Sequence, residues 1–382
     1  MKFTQPIPLS LYVHYPWCVQ KCPYCDFNSH TLKQTVDEAA YIDGLMKQLE
    51  QTLPMIWGRP IKSIFFGGGT PSLISEAGLN RFMSQARALL GFGPDIEITL
   101  EANPGTVDFE KFAGFRQAGI NRLSMGIQSF ADDKLKALGR IHSSEEAKLA
   151  IAAARDAGFK NFNLDLMFAL PNQTLEQAIA DVEQAIEFKP PHLSHYQLTL
   201  EPNTPFYKQP PILPDEDLAW EMQQACQKVL ASAGYQHYEV SGYAKPDYQC
   251  RHNLNYWQFG DYIGLGAGAH GKITVPPEGK IWRTQMPASP GGYIEEMGRP
   301  NPGRTTLVSE SDAIFEFMLN TLRLQNGFDL ELFEIRTGLP LSKIESQLAQ
   351  MQQQGWVKMN ANHLQLTPKG QQYLNDMVGL FL

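Results

Sequence analysis

No run of 18 apolar residues occurs in the 382-residue chain, so nothing in it reads as a membrane-spanning helix. Charge is sparse: Asp, Glu, Lys and Arg make up 19% of residues, with a net charge of −8 and a pI near 5.6. That balance leaves no broad cationic footprint for phosphates and argues against nucleic acid as a partner. Low-complexity tracts and short-period repeats are absent. The Gln-rich patch at 347–354 falls inside a helical pattern and reads as its solvated face. The opening Met1-Lys2-Phe3-Thr4-Gln5-Pro6 lacks the apolar segment of a signal peptide, so a cytoplasmic location with reduced thiols is expected. Cysteine is scarce too, at five residues. Their distribution is informative.

Three of the five lie in Cys18-Val19-Gln20-Lys21-Cys22-Pro23-Tyr24-Cys25, with spacing C-x3-C-x2-C. Thiolates are soft ligands that favour zinc and iron–sulfur clusters, and clusters are commonly held by closely spaced cysteines of one loop. A structural zinc or a protein-only cubane wants four ligands. Three thiolates leave one iron of a 4Fe–4S cluster open to another ligand. Zinc fits only if His14, Asp26 or His30 completes the set, and three buried apolar cysteines is the plain alternative.

Hydrophobic residues, at 43%, are ample for a large core, and the length suits one barrel-sized domain plus a smaller one. Short β-rich runs at 10–14, 63–66, 96–100, 122–128, 162–168 and 192–198 alternate with helical patterns at 36–53, 76–90, 108–118, 144–157 and 175–188. Ser75 and Ser143 suit helix N-caps, and Gly91, Gly119 and Gly158 suit C-caps. Alternating strands and helices predict an α/β fold with a parallel sheet, either an incomplete barrel or a doubly wound sheet. A helix at 217–232 and an aromatic, Gly-rich stretch at 235–271 follow. Residues 287–304, rich in Pro and Gly, read as the best domain boundary. Three helical patterns and two short strands from 311 onward have a winged-helix order. Yet residues 312–382 carry seven acids and five bases, a poor match to DNA, so a packing or lid role is expected.

In such a domain, ligands collect at the C-terminal ends of the strands. Gly67-Gly68-Gly69-Thr70-Pro71-Ser72 ends the second strand, where glycines either serve a tight turn or let a ligand approach the backbone. Glu101-Ala102-Asn103-Pro104 ends the third strand, with a carboxylate that could meet an ammonium or simply face solvent. Gln128 ends the fourth, Arg140 follows, and Asp165 interrupts the apolar run Asn163–Phe168. An acid there is costly to bury without a partner, and acids in nucleotide sites hold ribose hydroxyls.

Tyr12-Val13-His14-Tyr15-Pro16-Trp17-Cys18 and the cysteine spacing resemble the radical S-adenosylmethionine (SAM) family, in the branch of coproporphyrinogen dehydrogenase and the haem chaperones. The resemblance covers nearly the whole chain. It implies a partial (β/α)6 barrel over residues 1–205, an extension at 206–285, and a winged-helix-like α+β domain at 305–382. It implies a 4Fe–4S cluster on Cys18, Cys22 and Cys25, whose open iron takes the amino and carboxylate groups of SAM. One electron then splits SAM into methionine and a 5′-deoxyadenosyl radical. Tyr12, Gly68, Gly69, Thr70, Glu101, Gln128, Arg140 and Asp165 match SAM-contacting positions, and Tyr24 matches a residue stacking near adenine. One departure matters. The dehydrogenase pattern continues to a fourth cysteine two residues after the third, and here that position is Phe27. Porphyrinogen decarboxylation is therefore doubtful, and the haem-chaperone branch fits better.

Cys250-Arg251-His252-Asn253-Leu254-Asn255-Tyr256-Trp257 offers a histidine beside two aromatics, which could ligate haem iron and stack on a porphyrin or simply close a loop. Its spacing resembles the HNxxYW motif associated with haem binding in the chaperones. That resemblance implies haem as a third cofactor, with His252 as ligand and Cys250 as fallback. It further implies apo-haem acceptor proteins, respiratory and membrane-associated ones among them, and a reductant such as a flavodoxin-like protein. Cys226, within a helical run, reads as core. Gly266-Ala267-Gly268-Ala269-His270-Gly271 fits G-x-G-x-x-G, but an extended segment follows it rather than a helix, so a dinucleotide reading fails.

Overall fold

All six apolar runs form strands: β1 Leu9–Tyr15, β2 Ile61–Gly68, β3 Phe92–Ala102, β4 Arg122–Gln128, β5 Asn161–Phe168 and β6 His192–Gln197. They belong to a computed structural model that describes residues 1–32, 37–56, 58–106, 111–300 and 302–382. Among the intervening helices are Glu38–Ile56, Glu76–Leu89, Lys111–Ala118, Ser144–Asp156 and Leu175–Glu187. The expected starts at 36 and 108 lie outside the described residues. Ser75 caps its helix by accepting from the Gly78 N–H. Ser143 forms a capping box with Glu146. Gly119 and Gly158 take positive φ at helix ends, and Gly91 does not.

The strands pair parallel in the sequential order β1-β2-β3-β4-β5-β6. Each strand lies beside its predecessor, which is the winding of a barrel; a doubly wound sheet would reverse order midway. The fold is a partial (β/α)6 barrel, as the resemblance implied, with an α+β C-terminal domain.

The segment after β6 extends this sheet at both edges. Gly242–Ala244 joins antiparallel to β6. Asp261–Leu265 lies parallel against the outer edge of β1, and His270–Val275, Lys280–Gln285 and Arg304–Leu307 continue antiparallel from it. Within the presumed linker, residues 287–300 are structured here. Its helix Pro290–Glu296 buries Tyr293 against Tyr41, and the Tyr293 hydroxyl donates to Gln48 Oε1 at 2.8 Å.

One core cluster fills the barrel between sheet and helices. A second, centred on Phe317 and Phe333, builds the C-terminal domain and takes in Phe259 and Ile281 from the sheet region. There the helices Glu310–Thr321, Glu331–Thr337 and Glu345–Gln353 precede the hairpin Val357–Asn360/His363–Leu366, in winged-helix order. Among the described residues, no helix is long and apolar enough to cross a membrane.

Candidate functional site

The cysteine loop leaves the top of β1. Trp17–Cys18 pairs parallel with His30–Thr31 and closes the loop at its base. Asn28 ties it to the sheet extension, its Nδ2 donating to the carbonyls of Ala267 and Ala288, each at 2.9 Å. Cys18 is buried and Cys22 and Cys25 are half-buried. All three line one cavity of about 370 Å³ over the C-terminal ends of β2 to β5, within the roughly 300–1,000 Å³ usual for small-molecule sites. Burial pushes the Cys18 and Cys25 thiols up. Hydrogen bonds from Thr70 to Cys18, and from the Phe27 backbone to Cys25, act in the opposite direction. Among the described residues, no three His, Cys, Asp or Glu side chains converge closely enough for a single ion. Asp26 is exposed, His14 Nε2 lies 2.8 Å from the Asn28 carbonyl, and His30 Nε2 lies 3.2 Å from that of Ala288. A zinc ion would therefore lack its fourth ligand; a three-cysteine cluster needs none.

The glycines after β2 answer first to packing. A Cβ on Gly69 would sit 2.5 Å from the Trp17 carbonyl oxygen. Gly68 has φ +117, and a Cβ there would meet the His14 ring at 2.6 Å. Only glycine lets the cysteine loop lie this close to the end of β2. Thr70 Oγ1 accepts from Asn103 Nδ2 at 3.0 Å, which leaves its own proton for Cys18. Arg140 bridges the walls: Nη2 donates to Asn103 Oδ1 at 2.6 Å and to the Gly126 carbonyl at 2.8 Å, while Nη1 points at Cys22 Sγ at 3.7 Å.

Two carboxyl groups share the floor. Asp165 Oδ1 accepts from Asn163 Nδ2 at 2.8 Å and Oδ2 from Ser124 Oγ at 3.0 Å. Burial still raises its carboxyl. Among the described residues, Glu101 Oε2 accepts only a long 3.3 Å bond, from the Gly68 N–H. Burial first, and then the charge of Asp165, push Glu101 up to about 8. A cationic ligand group placed here would relieve both effects. Gln128 closes the cavity from β4 with φ +68, a conformation rare for a side chain of this size, and accepts from the Tyr196 hydroxyl at 2.7 Å.

The structure thus brings Cys18, Cys22, Tyr24, Cys25, Gly68, Gly69, Thr70, Glu101, Gln128, Arg140 and Asp165 to one cavity. Tyr12 lines a second, adjoining cavity of about 420 Å³ that shares Phe27, Gly68 and Glu101 with the first. His252 reaches neither. It is 1% exposed, with Nδ1 at 2.9 Å from Ser63 Oγ and Nε2 at 3.2 Å from the Tyr256 hydroxyl. Cys250 is fully buried against Glu97. Sequence reasoning missed Asn103, Ser124 and Tyr196 on the cavity wall. Asn103 stood one position past the strand end that drew attention to Glu101.

A family model described as the Radical SAM superfamily matches residues 12–185, and one described as the HemN C-terminal domain matches residues 308–373. The protein named heme chaperone HemW in Escherichia coli (strain K12) is 49% identical over 375 residues, covering 98% of each chain. This chain belongs to the HemW family. The HemW of Bacillus subtilis (strain 168) is 34% identical, with 98% of this chain and 99% of that one covered. Among solved structures, coproporphyrinogen III oxidase (HemN) from Escherichia coli, described as a radical SAM enzyme, superposes with a TM-score of 0.82 at 25% identity, covering 98% of this chain and 90% of that one. The HemW family and HemN therefore share this architecture. At the position after the third cysteine where the dehydrogenase pattern has a fourth, this HemW-family chain carries Phe27, 62% exposed on the rim of both cavities.

Proposed function

We propose that the chain is a cytoplasmic haem chaperone that binds a 4Fe–4S cluster and SAM in the first cavity and passes haem to apo-haem proteins, respiratory ones included. The observation carrying this reading is the set of three cysteines on the same cavity as Glu101, Arg140 and Asp165, in a chain about half identical to a named haem chaperone. Cys18, Cys22 and Cys25 would hold the cluster, which when bound supplies an open iron and one-electron chemistry fed by a flavodoxin-like reductant. The chain's own residues do the rest. Arg140 directs Nη1 at the Cys22 sulfur and holds Asn103 and Gly126 in place. Gly69, Thr70 and Glu101 take the methionine part of SAM, where ionised Glu101 meets its ammonium. Asp165, oriented by Asn163 and Ser124, suits the ribose hydroxyls, with Gln128 beside it and Tyr24 toward the adenine.

Anaerobic reconstitution tests the reading. We expect about four irons and four sulfides per chain, SAM binding that requires the cluster, and haem movement from the loaded protein to an apo-haem acceptor. Turnover of coproporphyrinogen to a decarboxylated product would instead favour the enzyme whose fold the chain shares.

A further inference from the structure

The second cavity has features of a porphyrin site that the first lacks. Tyr256 and Tyr262 meet edge to face on its wall, with ring centroids 4.5 Å apart at 81°. Tyr262 is fixed from behind by Arg283, whose Nη1 donates to the hydroxyl at 2.6 Å, and Arg283 is itself paired with Glu316. Phe27 projects at the rim. Broad, rigid aromatic faces bind a porphyrin by stacking and lose little conformational freedom in doing so.

One imidazole in this cavity is uncommitted. His270 opens the strand His270–Val275 just after the tight Gly266–Gly268 turn, is exposed, and lines the cavity. Among the described residues its ring has no hydrogen-bond partner. Burial, and then the nearby positive charge of Arg283, lower its affinity for a proton. The ring is therefore neutral near pH 7, as an iron ligand must be.

His252 is in the opposite situation. Both ring nitrogens are engaged, the ring packs on Phe65 with centroids 5.1 Å apart, and burial pushes it down to about 3. Reaching iron would mean breaking its hydrogen bonds to Ser63 and to Tyr256. Its geometry suits another task. On the helix Arg251–Trp257 the spacing of His252 and Tyr256 stacks them on one face, and the hydrogen bond sets the Tyr256 ring at the cavity wall.

We propose that His270 supplies the iron ligand for haem bound in the cavity walled by Tyr12, Tyr256 and Tyr262, and that His252 is a positioning residue for Tyr256. This rests on the haem-chaperone reading and refines it. Haem so bound would lie against Gly68 and Glu101, the wall shared with the cluster cavity.

The test is haem titration of the cluster-loaded full chain, followed by the Soret band and by ferric electron paramagnetic resonance. His270→Ala should remove the histidine-ligated signature and weaken haem binding by about 10–100-fold, the scale of losing a support of a metal site. Added imidazole should restore the spectrum in His270→Ala. His270→Cys should give a thiolate-type ferrous–CO spectrum. Iron-free protoporphyrin should bind the parent and His270→Ala alike. His252→Gln should keep the histidine-ligated spectrum while weakening haem and protoporphyrin together. A His270→Ala spectrum identical to the parent's, or a loss that imidazole does not restore, overturns the assignment while haem binding by the parent upholds the chaperone reading. A parent that binds no haem overturns both.

Discussion

Glu101 is the residue whose protonation should govern SAM binding. With its carboxyl pushed up to about 8, about nine in ten molecules carry a neutral Glu101 at pH 7 before ligand arrives. An ammonium favours the ionised form, so only about a tenth of the protein is ready for it at pH 7 and about a hundredth at pH 6. Apparent affinity scales with that fraction. SAM should therefore bind about tenfold more tightly per pH unit between about pH 6 and 7.5, or about 1.4 kcal/mol per unit, and level off above about pH 8.5. Binding at pH 7 should also release close to one proton, visible as a calorimetric enthalpy that varies with the ionisation heat of the buffer. Glu101→Gln keeps the size of the side chain and removes the titration. In that variant the slope should fall to the ligand's own contribution, with affinity at about pH 8.5 lower by about 1–3 kcal/mol. The stability of the ligand-free protein has the matching sign. A carboxyl raised by folding stabilises the fold at low pH and loses that contribution as pH rises through about 8, so Glu101→Gln should be the more stable protein at about pH 8.5. Parent and variant with the same pH slope for SAM would refute the reasoning.

Replacing Cys18, Cys22 or Cys25 by Ala should abolish the broad iron–sulfur absorbance and leave far-ultraviolet circular dichroism unchanged; tetrahedral zinc in anaerobically purified parent would contradict it. Asp165→Ala should weaken SAM by about 1–3 kcal/mol, measured calorimetrically on reconstituted protein, whereas unchanged affinity would leave its bonds to Ser124 and Asn163 a purely structural purpose. Asp261 is fully buried between Arg59 and Lys272, each 2.8 Å away. Asp261→Ala leaves the Lys272 charge uncompensated in the core and should cost about 3–5 kcal/mol in urea denaturation; a loss below about 1 kcal/mol would show that water reaches the pair.

The barrel was legible because each strand run is bounded by its own punctuation. The 122–128 run and the capped helices after Ser75 and Ser143 match the structure at one or both ends. The sheet extension was not legible. Asp261-Tyr262-Ile263-Gly264-Leu265 is short and holds a glycine, and it joins the barrel sheet by pairing with β1, about 250 residues earlier. The Pro and Gly of 287–304 signalled a linker, yet Tyr293 anchors the segment through a partner far away in sequence. In the site, spacing located the cysteines and strand-end polar residues, since the termini of parallel strands converge by geometry. Spacing could not tell which face of its helix His252 would turn inward. The i,i+4 relation to Tyr256 was in the sequence, but Ser63, which holds the other ring nitrogen, comes from β2.

The pairing of β1 with residues 261–265 also bears on the order of events during synthesis. β1 leaves the ribosome well before this partner, and its outer edge stays unpaired until some 250 more residues have been made. An apolar strand with an open edge invites wrong partners, so the nascent chain is most prone to aggregate in that interval. The cysteine loop waits as well, since Asn28 finds its anchors only once Ala267 and Ala288 have emerged. A cluster delivered before then would meet a loop lacking its Asn28 anchors. For the cluster proposed above, loading would follow the emergence of these anchors, and a translation pause near residue 200 should leave intermediates without iron.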